Sequence, residues 1–105
     1  MEEKDLIQND KLKIIELIIE DVTKNKIQMT TNHADTLYLA NVLSSLYGED
    51  GRKYLHIMRQ QRDGYNDKKI DSIFDYCKRT NKIKYTIKAL YSKYLTSKAK
   101  HYEQR

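Results

Sequence analysis

Apolar residues return every three or four positions along this chain, and no proline interrupts them. Leu12, Ile15, Ile18, Ile19 and Val22 follow that rule, as do Ile70, Ile73, Phe74 and Cys77. Such a period lays one apolar stripe along an α-helix, whereas a half-buried strand needs alternation. No stretch alternates for long enough to demand a sheet. With three glycines in 105 residues, little opposes helix formation. The expected fold is therefore all-α, a compact orthogonal bundle of about five helices joined by short connections. It forms a single domain over 1–105, with fraying expected at 1–9 and 98–105.

Punctuation residues set the expected boundaries. A first helix over 11–24 would start from Asp10 as N-cap. The segment 27–31 reads as a short, extended connection. A second helix over 34–47 would be capped by Asn32 and ended by Gly48. Its apolar positions wrap most of its circumference, which places it in the middle of the bundle. A third helix would open at Glu49-Asp50-Gly51, with its acids at the positive end of the macrodipole, and run to about residue 61. Asn66 would cap a fourth over 67–78, and Thr86 a fifth whose inner face is Ile87, Leu90 and Tyr94.

Several chemistries lack support in the residues. Cys77 is the single cysteine, so no intramolecular disulfide can form, and its place on an apolar stripe suits a buried thiol better than a nucleophile. His33, His56 and His101 stand far apart, none beside a second ligand at metal spacing. Asp67, Asp71 and Asp75 share a helix face, but neighbouring lysines make that a solvated face of mixed charge. Gly48-Glu49-Asp50-Gly51 has no phosphate-binding Lys-Ser/Thr, and its acids would repel phosphate. No catalytic residue, metal or cofactor is therefore expected. No apolar run is long enough for a bilayer and no signal segment opens the chain, so a cytoplasmic protein without a membrane partner is expected.

Charge is divided by position. Residues 1–50 carry 5 Lys/Arg against 10 Asp/Glu, and residues 51–105 carry 15 against 5. A localised cationic surface is where affinity for a polyanion begins. Lys84, Lys88, Tyr91, Lys98 and Tyr102 are spaced to project in nearly one direction from the last helix. There, lysines could hold phosphates while a tyrosine stacks on a base. Arg59 and Arg62 could extend the surface as phosphate forks, or pair instead with Asp63 or Asp67. The candidate contacts for nucleic acid, single-stranded or duplex DNA, are Arg59, Arg62, Lys84, Lys88, Tyr91 and Lys98. About five neutralised phosphates would give a log–log salt slope of roughly −3.5 to −4.5. The competing reading leaves Tyr91 at the core edge and the lysines as solubilising charges.

Leu39-Ala40-Asn41-Val42-Leu43 is followed by Tyr47-Gly48-Glu49-Asp50-Gly51-Arg52-Lys53-Tyr54-Leu55-His56. Then come Arg59, Tyr65, Phe74-Asp75-Tyr76-Cys77-Lys78 and Thr86-Ile87-Lys88-Ala89-Leu90-Tyr91. In order and spacing, this run resembles the second type of primase C-terminal helical domain, over roughly residues 12–95. It departs from the family where a Trp is frequent near Leu37 and where a Ser-Arg pair replaces Met58-Arg59. The resemblance implies a non-catalytic module of primase–helicase proteins in phages and mobile elements, with nucleic acid, a primase or a helicase as partner. A protein-interaction module without nucleic-acid binding is the first alternative. A small excisionase-like or helix-turn-helix reader is the second, disfavoured because its recognition helix would bring Glu49 and Asp50 to the groove.

Overall fold

Because the apolar stripes have helical period throughout, each must be buried against another helix. The computed structural model describes residues 3–103, with side chains from residue 10 onward, and the ordered elements are all helical. They are α1 (Glu3–Asn25), α2 (His33–Tyr47), a 3-10 turn (Gly48–Asp50), α3 (Gly51–Gln60), α4 (Asp67–Thr80) and α5 (Ile87–Glu103). α2 packs against α3, α4 and α5, while α1 packs against α3 and α5. The core joins Ile15, Ile18 and Val22 of α1 to Leu39 and Leu43 of α2. Leu55 and Met58 of α3, Phe74 of α4 and Leu90 of α5 belong to the same cluster.

Two expected caps are present. The Asn32 side chain accepts from the Asp35 amide at 2.8 Å, and that of Asn66 accepts from the Lys69 amide at 3.1 Å. Each satisfies one of the free amides at a helix start. Gly48 closes α2 with a φ of 59° and donates its amide to the Ser44 carbonyl. Asp10 is not a cap: α1 reaches back to Glu3, so Asp10 lies within the helix. The physical reason is that nothing from residue 3 to residue 10 breaks a helix, and a cap-forming residue does not by itself start one. At the other end, α5 continues to Glu103, beyond the expected fraying point.

The segment after α1 also differs from expectation. Lys26 adopts a left-handed φ of 54°, and the Ile27 amide bonds back to the Val22 carbonyl at 3.1 Å. That six-to-one closure, with Val22 and Ile27 both buried, is a Schellman-type stop. It drops Ile27 and Met29 fully into the core, although both were expected in a mere connection.

Gly51 has an ordinary helical φ of −61°. Space rather than conformation requires a glycine here. A Cβ at this position would lie 2.6 Å from the Leu43 carbonyl oxygen, so the two helices meet backbone to backbone.

Candidate nucleic-acid interface

Phosphate binding needs cations that face water and are not already paired. The six expected residues separate into three places on the surface. Lys84 is not on the last helix; it lies in the connection before α5 and is exposed. With Lys78 and Lys82 it lines a hollow of about 260 Å³ beside Ser44 and Ser45 of α2, and no carboxylate lines it. The segment is anchored where the Tyr85 amide donates to the Ser45 hydroxyl at 2.9 Å. Lys88 follows in the first turn of α5, also exposed. Among the described residues Lys82, Lys84 and Lys88 have no ion-pair partner, whereas Lys78 reaches Glu49 at 2.8 Å.

Lys98 and Tyr91 belong to a second place, the groove between α1 and α5. It holds about 390 Å³ and is lined also by Ile14, Leu17, Glu20 and Asp21. Here the expected cationic strip fails: Lys98 Nζ lies 3.0 Å from Asp21 Oδ2 and 3.3 Å from the Tyr94 hydroxyl. Burial raises the Asp21 pKa, but hydrogen bonds from Tyr94, Lys98 and Asn25 outweigh it, so the carboxyl titrates below its usual range. Its hydrogen bonds to Asp21 and then to the Tyr94 hydroxyl push the Lys98 ammonium well above the ordinary lysine range. Lys98 is therefore a neutralised cation. Tyr91 remains exposed, its ring 5.9 Å from that of Tyr94.

Arg59 and Arg62 occupy a third place, at the starts of α2 and α4. Arg59 is 8% exposed and pairs with neither Asp63 nor Asp67 through their carboxylates. Instead, its guanidinium donates to the backbone carbonyls of Arg62 at 2.7 Å and Asp63 at 3.0 Å, clamping the α3–α4 turn. Burial, and then the neighbouring Arg62 charge, depress its pKa despite Asp63. This corrects its expected role as an exposed fork. Arg62 is half-buried, and its Nε has no hydrogen-bond partner among the described residues. His33 and Lys69 line the same hollow of about 160 Å³.

Other cations are consumed within the fold. Arg52, stacked 4.8 Å over the Phe74 ring, joins Glu49 at 2.6 Å, Asp71 at 3.2 Å and also Asp75. His56 sits between the Tyr65 hydroxyl at 2.5 Å and Asp71 at 2.7 Å. The helix face of Asp71 and Asp75 is thus an internal clasp between α3 and α4. Lys93 meets Asp35 at 2.9 Å. That bond and two from Thr31 overcome burial and hold the Asp35 carboxyl at about 2.

Cys77 is buried with its Sγ 3.8 Å from the Leu37 carbonyl, and burial pushes the thiol up, away from nucleophilic chemistry. Among the described residues no group of three or more His, Cys, Asp or Glu gathers as a metal site. Likewise, no helix among them is long and apolar enough to cross a membrane.

Sequence reasoning overlooked Lys82, His33 and Lys69. A usable signal existed: His33 directly follows the Asn32 cap and Lys69 accompanies the Asn66 cap, so both mark helix starts. That the two starts converge on Arg59 and Arg62 depends on packing. Neither family models, curated proteins nor solved structures include a match to this chain.

Proposed function

We propose that this chain is a non-catalytic accessory module of a mobile-element DNA-replication protein of primase–helicase type, working in the cytoplasm. It would be a compact orthogonal bundle of about five helices related to the second type of primase C-terminal helical domain. Its task is to position nucleic acid, or to dock a primase to a helicase. The observation that carries the nucleic-acid part is the stretch from the end of α4 into α5. There Lys82, Lys84 and Lys88 are exposed, without ion-pair partners among the described residues, and next to a hollow that no carboxylate lines. Lys98 is paired with Asp21 and Arg59 clamps a turn, so the reading rests on those three lysines.

About three neutralised phosphates give a log–log salt slope of roughly −2 to −3, shallower than the five expected from the sequence would produce. The test is salt-titrated binding of single-stranded and duplex DNA to the wild type and to a Lys82/Lys84/Lys88→Glu variant. Binding with that slope, lost in the variant, supports the reading. Affinity that is absent, or that ignores both salt and the substitutions, removes it.

Docking to a protein has its own support. Leu17 is 66% exposed and Tyr91 45% on the α1–α5 groove, an apolar face open to a partner. A helicase-domain pull-down that survives the lysine substitutions but fails with Leu17→Glu would favour docking as the main role.

A further inference from the structure

The hollow at the starts of α2 and α4 has a property that the other basic regions lack. Two guanidinium groups meet there, that of Arg59 buried and that of Arg62 half-buried. Arg59 is buried, and its partners are neutral carbonyls, so its charge is hydrogen-bonded without being paired to a carboxylate. Arg62 brings a second guanidinium to the same wall, with a buried Nε that no described residue satisfies. His33 and Lys69 also line it, and no carboxylate takes part; Asp63 acts on Arg59 through space without lining the hollow. A buried guanidinium beside a half-buried one, with the Arg62 Nε–H unmet among the described residues, favours an anion that completes the set.

Shape narrows the anion. A hollow of about 160 Å³ has room for one phosphoryl group against its wall. Guanidinium forks match phosphate oxygens in pairs. A phosphate monoester carries about −1.5 to −2 at neutral pH, more than the single charge of an internal diester.

We propose that the Arg59–Arg62–Lys69–His33 hollow binds a phosphate monoester, namely the terminal phosphate of a nucleic-acid strand. The nature of the carrier rests on the nucleic-acid reading above; the phosphate site does not. In the bound state Arg62 and Lys69 contact the phosphate oxygens, and Arg59 supplies charge from behind while holding the turn.

The experiment compares three otherwise identical single strands, 5′-phosphorylated, 3′-phosphorylated and unphosphorylated, for binding to the full chain. One phosphorylated strand is expected to bind about tenfold tighter than the unphosphorylated one, the scale of one charge-assisted hydrogen bond. Arg62→Gln and Lys69→Ala should each erase that ratio, whereas Lys82/Lys84→Glu should weaken all strands and preserve it. Lys69 is exposed in the first turn of α4, so its variant stays informative if Arg62→Gln unfolds. In parallel, inorganic phosphate and a nucleoside monophosphate are titrated while backbone amide resonances of residues 62–69 are followed. Shifts there without strand binding support the site with a free phosphate ester as ligand and overturn the strand-positioning role. Equal affinity for all three strands, together with unmoved amides, overturns the proposal while leaving the lysine-rich interface standing.

Discussion

The Lys98 ammonium rests 3.0 Å from the Asp21 carboxylate, joining the basic last helix to the acidic first one. A chain whose halves carry opposite net charge thereby uses part of that opposition to hold itself together. Lys93 with Asp35 and Lys78 with Glu49 repeat the pattern between α5 and α2, and between α4 and the 3-10 turn. The cations left for a partner are those that the fold's own carboxylates and carbonyls do not reach.

Removing the acid should release the base. Asp21→Asn is expected to free Lys98 for a phosphate and steepen the salt slope by about 0.7 to 0.9. Lys98→Ala in the native background should leave the slope where it was. If Lys98→Ala alone flattens it, Lys98 contacts the ligand in spite of its ion pair.

Asp35 makes stability depend on acid. Its folded pKa of about 2 lies below the unfolded value of about 3.9. The stabilisation is therefore present above pH ~4 and is lost as pH falls from ~4 through ~2. Melting temperatures across that window should drop less for Asp35→Asn than for the wild type. Glu49, held at about 2 by Arg52 and Lys78, will leave some slope in the variant. Parallel curves would refute the assignment to Asp35.

Gly51 should tolerate no side chain. The Cβ of Gly51→Ala would sit 2.6 Å from a backbone oxygen of Leu43, which cannot rotate away. Forcing α2 from α3 should cost about 1–3 kcal/mol, the usual range for overpacking. Urea unfolding measures this directly, and a variant as stable as the wild type would show that the helices part freely.

Lys26 works in the opposite direction. It is an exposed, non-glycine residue at a left-handed φ of 54°, in the position where a Schellman stop favours glycine. Lys26→Gly should stabilise the chain by about 1 kcal/mol, the strain of a Cβ in that conformation less the added freedom of the unfolded glycine. A fall in the urea midpoint on substitution would contradict it.

Local rules carried the reading of the fold a long way. Asn32 and Asn66 cap the helices that their side-chain chemistry favours, and Gly48 ends α2 because a short loop there needs a positive φ. The same rules misplaced the start of α1, since Asp10 can cap a helix and can equally lie inside one. They passed over Ile27 and Met29 because a two-residue apolar signal after a helix has no period to detect. In the candidate interface, the cationic residues were legible but their partners were not. Tyr94 and Asp21 meet across 73 positions of chain, and no spacing rule reaches that far. Charge alone marks Arg59 as a phosphate fork or a partner of Asp63 or Asp67, whereas its carbonyl partners exist only once the α3–α4 turn has closed.

The sequence by itself determined the helical class, the central place of the second helix and the excess of positive charge in the latter half. Those follow from the period of apolar residues and from a simple count of charges, and both survive any packing. Only the tertiary structure decided which cations remain available. An ion pair depends on distance, and distance between remote residues is set by how the helices stack. Stacking leaves Lys82, Lys84 and Lys88 facing outward, ties Lys98 to Asp21, and turns Arg59 inward beside Arg62.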